Sequence, residues 1–124
     1  MSQQNEININ YLQRLALREL ENDTIQETNS DLYNSISKLL KKLKNENHDG
    51  IELKLNQAMI DMITDITSTL LKLRLEKATL NNSNKSILLD EEKYILDSKA
   101  EMVERQETIL SGIFKGEPHN LGVQ

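Results

Sequence analysis

Catalysis by a nucleophile needs a Ser, Thr or Cys held beside a base, and this 124-residue chain offers little to build one from. It has no Cys and only two His. His48 lies in the polar run Asn45-Glu46-Asn47-His48-Asp49-Gly50, and His119 lies near the C-terminal end of the sequence. Neither belongs to a recognisable motif, and both read as solvated side chains. A metal centre needs ligands that converge at helical or turn spacing. The densest acidic group, Asp90-Glu91-Glu92, is explained by the preference of carboxylates for the first turn of a helix. No Gly-rich loop is present to cradle a phosphate. Neither an active site, a cofactor nor a metal is expected.

Arg74 and Tyr33 are the polar residues with most to offer. Arg74 stands among leucines in Leu70-Leu71-Lys72-Leu73-Arg74-Leu75-Glu76-Lys77. A planar guanidinium can hold a carboxylate in two parallel hydrogen bonds, which an ammonium cannot do. Asp31 and Glu19 are its candidate partners within the chain; the alternative is a solvated strip beside the core. Tyr33 suits a packed position with its hydroxyl at a boundary. Lys38, Lys41, Lys42 and Lys44 cluster toward the end of their segment, where cations favour the helix dipole.

Four helical segments must position these groups. The first spans about 7–21, with Ile9, Leu12, Ala16 and Leu20 in helical phase and Leu15 and Leu17 widening the stripe. The second begins near Ser30, capped by Asn29 or Ser30, with Asp31 in its first turn and a stripe of Leu32, Ile36, Leu39, Leu40 and Leu43. The third, about 51–80, is long and carries Leu55, Ala58, Met59, Met62, Ile63, Ile66, Leu70, Leu73 and Lys77 along one face. Leu53, Ile60, Leu71, Leu75 and Ala78 lie off that line, so the apolar surface is wide enough for neighbours on two sides. Its Thr-rich stretch, Thr64 to Thr69, is the weakest part, because β-branched and hydroxyl side chains disfavour helix. After the Asn- and Ser-rich break at 81–86, the fourth runs from Asp90 to about Ile113. Its stripe is Ile95, Met102, Val103, Ile109, Leu110 and Ile113, interrupted by Lys99 and Gln106, with Gly112 or Gly116 to end it.

Composition agrees with this reading. Four Gly, one Pro and 3% aromatic residues leave little for a many-turned β fold. The fold class expected is all-α: a single helical bundle of four to five helices around one long central helix, spanning residues 1–115, with 116–124 as a flexible tail. A net charge of −5 argues against nucleic acid as the main partner. No apolar run reaches the ~20 residues of a membrane span, and the first ten residues lack the apolar core of a signal peptide. A cytoplasmic protein is expected.

The order of the segments resembles the helical A domain of archaeal GINS subunits, of the class in which that domain comes first. Leu12-Gln13-Arg14-Leu15-Ala16-Leu17-Arg18-Glu19-Leu20-Glu21 is similar to the family's opening Leu- and Glu-rich helix. Ser30-Asp31-Leu32-Tyr33 resembles its Asp-Phe-Tyr at the start of helix two, and a Lys/Leu helix end and polar loop follow. Leu71-Lys72-Leu73-Arg74-Leu75-Glu76-Lys77 resembles its Ile-Arg-Leu-x-Lys-Ile. Leu88-Leu89-Asp90-Glu91-Glu92-Lys93-Tyr94 resembles its Leu/Met-Thr-x-Glu-Glu-Lys entry to the last helix. Leu32 stands where Phe is usual, and Ala78-Thr79 replaces the Ile and small-residue continuation. The family adds a small β-rich B domain after the linker, for which the 124 residues leave no room.

The resemblance implies a non-enzymatic scaffold in DNA replication. GINS subunits of two types assemble through their A-domain helices and bridge the MCM replicative helicase to a Cdc45/RecJ-like partner, with primase a further contact. On that basis the partners expected are a second GINS-type subunit, the MCM helicase and the Cdc45/RecJ-like protein, with no membrane and at most weak direct nucleic-acid binding. The subunit interface is expected to draw on Asp31, Leu32, Tyr33, Leu70, Leu71, Arg74, Leu75, Ile95, Met102 and Ile109. The alternative is a small helical accessory subunit of another assembly, such as a polymerase accessory protein or a chaperone subunit. A helical nucleic-acid binder using Lys38, Lys41, Lys42 and Lys44 with Lys72 and Lys77 is a third reading.

Overall fold

Asn8 stands just ahead of the first apolar repeat, and its short side chain starts the first helix. Its backbone is extended, and its Oδ1 accepts from the Tyr11 N–H at 2.9 Å. That bond satisfies one of the donors a helix N-terminus leaves open. Helix α1 therefore spans Ile9–Glu21, two residues later than the apolar spacing alone predicts. At the other end Asn22 donates its amide to the Arg18 carbonyl at 2.7 Å.

The computed structural model describes residues 7–80 and 85–116. Among them are three further α-helices and no strand: α2 at Leu32–Asn45, α3 at Gly50–Ala78 and α4 at Asp90–Phe114. A 3₁₀ turn at Lys85–Ile87 precedes α4. The all-α class and the long third helix are as the periodicity predicts. At 1.5 Å per residue, the 29 residues of α3 extend roughly 44 Å. Asp31 is the N-cap of α2 rather than part of its first turn, because the Leu32 N–H closes a turn onto the Asn29 carbonyl at 3.1 Å. Gly50, at φ +61°, lets the chain swing directly into α3. That helix stops at Ala78, where the Thr79 and Leu80 N–H groups tighten onto the Glu76 and Lys77 carbonyls. Gly116, at φ +77°, closes α4 through its N–H to the Ile113 carbonyl at 3.0 Å, whereas Gly112 remains inside the helix. The expected tail from 117 onward lies outside the described residues.

The Thr-rich stretch of α3 is helical throughout, and two of its hydroxyls bond within the helix. Thr64 and Thr67 donate to the carbonyls of Ile60 and Ile63, at 2.9 and 2.7 Å. Each thus satisfies its polar group against the preceding turn.

Contacts divide the chain after Leu89: the first unit carries α1, α2 and α3, and the second consists of α4. The core of the first unit is Leu12 and Leu15 from α1, Leu32, Ile36 and Leu43 from α2, Ile63 and Leu70 from α3, and Leu89. Burying each such side chain contributes on the order of 1.5–3 kcal/mol. On α2 the buried stripe is the expected one, with Leu39 and Leu40 packed at its edge.

On α1 and α3 the inward faces differ from the expected stripes. The inward line of α1 runs Leu12, Leu15, Glu19, and leaves Leu17 and Leu20 exposed. The inward line of α3 runs Asn56, Ile63, Leu70, Arg74, Ala78, and leaves Leu55, Met59 and Met62 exposed. The physical reason is the same for both helices. Each buries polar residues that find partners inside, so apolarity alone misplaces the face.

Candidate partner-binding surface

The buried polar residues set the register of α1 against α3. Arg74 Nη1 donates to Glu19 Oε1 at 3.0 Å and to the Gln26 carbonyl at 2.7 Å, and both charged residues are 1% exposed. Glu19 Oε2 accepts from Lys77 Nζ at 2.8 Å and from the Gln26 N–H at 3.1 Å. Lys77 also donates to the Glu19 and Thr24 carbonyls. One carboxylate thus ties two cations of α3 to α1 and to the segment that follows it. Of the two carboxylates expected for Arg74, Glu19 is the partner, and Asp31 is exposed at its cap. Further along, Gln13 Nε2 reaches Met62 Sδ at 3.7 Å. With Gln13 beside Met62 and Glu19 beside Arg74, α1 and α3 run in the same direction along their shared face.

Asn56 is the second polar anchor. Its Nδ2 donates to the Leu43 carbonyl at 2.9 Å, in a buried position. That carbonyl lies in the last turn of α2, where acceptors lack partners within the helix. The bond fastens the end of α2 to the first third of α3.

With Arg74 and Asn56 turned inward, the other flank of α3 is left to face outward. Ile51, Leu55, Met59 and Met62 are exposed, Leu55 by 62%, and they follow one another at spacings of four, four and three. Ile66 continues the line and is half-buried against the core. This seam starts in solvent and ends in the interior.

Helix α4 carries a second seam of more regular design. The apolar doublets Ile95-Leu96, Met102-Val103 and Ile109-Leu110 recur every seven residues. Lys99 and Gln106 lie between them and Ile113 follows the last, all on the same face at the spacing of a heptad's alternating positions. Met102 is 54% exposed, and Val103, Leu110 and Ile113 are exposed with it. Phe114, at the helix end, is 80% exposed. Glu101 and Arg105 form an exposed pair at 3.7 Å on the polar side, as their spacing predicts. Such pairs add only tenths of a kcal/mol.

The residues expected at a subunit interface separate into distinct groups. Leu32, Leu70 and Arg74 are buried inside this chain and serve its own core; their side chains present no surface to a partner. This corrects their assignment: matched motifs marked positions of structural weight without distinguishing inward from outward faces. Tyr33, Leu71 and Leu75 are half-buried, and Asp31 is exposed. Ile95 and Ile109 are half-buried and Met102 is exposed, all three on the α4 seam. The exposed part of the α3 seam was missing from the expected interface. The apolar spacing puts Leu55, Met59 and Met62 on one line with Ile63 and Leu70, which merges an exposed face with a buried one.

His48 is more constrained than a free loop residue. Its Nε2 lies 2.9 Å from Glu46 Oε1, and its Nδ1 lies 3.8 Å from Glu52 Oε1. The hydrogen bond with Glu46 raises its pKa above the ordinary imidazole value. Among the described residues no group of three or more His, Asp or Glu could hold a metal ion, and no helix is long and apolar enough to cross a membrane.

Comparison with known proteins finds no family model that matches the chain and no match among curated proteins or solved structures.

Proposed function

We propose that this chain is a non-enzymatic assembly subunit that holds other proteins together through its exposed helix seams. The observation that carries the reading is the α4 heptad face, with Met102, Val103, Leu110 and Ile113 left open to solvent. Helices in globular proteins owe most of their stability to tertiary burial of an amphipathic face. A regular, exposed apolar face is a surface that another polypeptide can cover. Lys99 and Gln106 in the middle of that face fit the use of polar seam residues to select one partner at some cost in stability.

The resemblance in segment order supports a specific setting: a GINS-like subunit of a replisome, scaffolding the MCM helicase and a Cdc45/RecJ-like protein during DNA replication, paired with a second GINS-type subunit. An exposed seam would equally serve a small accessory subunit of a polymerase or chaperone assembly; the sequence motifs alone favour the replisome. Co-expression with an archaeal GINS subunit of the second type, followed by size-exclusion chromatography with light scattering, tests the proposal. A stable complex that Met102→Glu with Ile109→Glu dissolves is the expected result. A monomer of about 14 kDa at high concentration, with no affinity for that subunit or for MCM, overturns the replisome setting.

A further inference from the structure

Helix α2 differs from the rest of this acidic chain in its charge. Within Leu32–Asn45 it has Lys38, Lys41, Lys42 and Lys44 and no Asp or Glu, in a chain whose net charge is −5. None of the four lysines makes an ion pair among the described residues. At 100° per residue they spread over about 160° of the helix circumference in the order Lys44, Lys41, Lys38, Lys42. Lys44 and Lys41 lie nearest Tyr33, Ser37 and Leu40 and line a groove with them, whereas Lys38 and Lys42 lie further round and do not.

The Lys41 flank borders a groove between α2 and α3 of about 540 Å³. Ile36, Leu40 and Tyr33 from α2 and Thr67 from α3 line it, and Lys41 and Lys44 stand at its margin. Ile36 is buried, Tyr33, Leu40 and Thr67 are half-buried, and both lysines are exposed. The groove therefore has an apolar floor and a cationic margin whose two charges are one helical turn apart. A Lys at that spacing meets a carboxylate spaced by one turn on an opposing helix, while the floor accepts an apolar side chain.

We infer that the α2–α3 groove is a docking site for an acidic amphipathic helix of a partner protein. Helix-in-groove recognition uses apolar anchors at i, i+3 or i+4 and i+7, and flanking charges of opposite sign set orientation and speed encounter. A nucleic acid is a poorer fit: the floor is apolar, two cations border it among the described residues, and the acidic remainder of the chain repels a polyanion. The inference rests on the groove alone and stands apart from the replisome setting and from the α4 seam.

Fluorescence anisotropy with the full chain tests it. The probe is a labelled peptide of about 16 residues, some four helical turns, with Leu at helical spacing and Glu on both flanks. Binding to the full chain is expected. Lys41→Glu with Lys44→Glu should weaken it at least about tenfold, while Lys38→Glu with Lys42→Glu, an identical charge change at lysines that do not line the groove, should alter it by less than about threefold. Replacing the peptide leucines by Ala should abolish binding. Helical circular dichroism of each variant, with all four positions exposed, reports that the fold survives. The inference is overturned by equal losses from the two lysine pairs, by undiminished binding of the Ala peptide, or by no peptide binding at all. Tighter binding of duplex DNA than of the peptide overturns it too, as does a second copy of the chain occupying the groove and excluding the peptide.

Discussion

Glu19 on α1 and Arg74 on α3, fifty-five positions apart in the chain, meet as an ion pair at 3.0 Å from which water is almost wholly excluded. Lys77 takes the second carboxylate oxygen, and Gln26 supplies both a carbonyl to Arg74 and an N–H to Glu19. The cluster holds α1, the segment after it and α3 together at one point. Its value lies less in net energy than in the penalty for disturbing it, because a buried charge deprived of its partner has no water to turn to.

Arg74→Met is expected to destabilise the chain by about 3–5 kcal/mol, since it leaves the buried Glu19 with one cation fewer. Glu19→Leu should cost a similar amount by taking from the buried Arg74 the carboxylate at 3.0 Å. The double variant should cost less than the two single losses added, because the groups act as one network. Urea denaturation measures all three, with a lowered midpoint at constant slope as the sign of lost stability. Additive losses would show that the pair is not coupled.

Asn56→Ala removes the donor that serves the Leu43 carbonyl at the end of α2. The remaining bond to that carbonyl comes from the Glu46 N–H at 3.4 Å. A loss of about 1–3 kcal/mol is expected, the usual consequence of leaving a buried acceptor poorly satisfied. Hydrogen exchange should show faster opening in the last turn of α2 than in α1. Uniform acceleration through both helices would mean that Asn56 supports the whole unit and not that end.

His48 should titrate above 6.5, its ordinary value, because the hydrogen bond with Glu46 favours the protonated ring and the charges of Glu46 and Glu52 add to it. A raised folded-state pKa means that His48 stabilises the folded chain fully below about 6.5, and that this contribution is lost as pH rises through the folded value. Proton NMR of the imidazole checks the shift. Glu46→Gln should lower the pKa more than Glu52→Gln, since Glu46 is at 2.9 Å and Glu52 at 3.8 Å. Equal effects would contradict the dominance of the Glu46 bond.

Lys99→Leu combined with Gln106→Leu closes the two polar gaps in the α4 seam. Sedimentation of this variant should show self-association at concentrations where the parent chain associates less, because polar residues at seam positions cost stability and restrict partners. Met102→Glu with Ile109→Glu should move association in the opposite direction. If neither pair changes the mass distribution, the α4 face is not an association surface.

The helices themselves were legible in the sequence. Asn22, Gly50 and Gly116 mark ends through local chemistry, although the apolar spacing passes over the cap at Asn8, and the apolar period of α2 names its buried face correctly. Such features depend on neighbours within a turn or two, which the chain order supplies directly. Arg74 was also legible as a residue seeking a carboxylate, and Glu19 as one of two candidates, because a guanidinium among leucines needs a counter-charge.

The tertiary structure decided which faces point inward. Composition favours Leu55, Met59 and Met62 for the core over Asn56 and Arg74, yet the polar residues are buried and the apolar ones exposed. Burial of a polar group is tolerated only where a partner completes its hydrogen bonds. Those partners, the Leu43 carbonyl, Glu19 and the Gln26 carbonyl, lie 13, 55 and 48 positions away. Helical periodicity reads contacts three and four residues apart, so only the packed chain could bring these groups together and, by turning them inward, leave the seam of α3 outside.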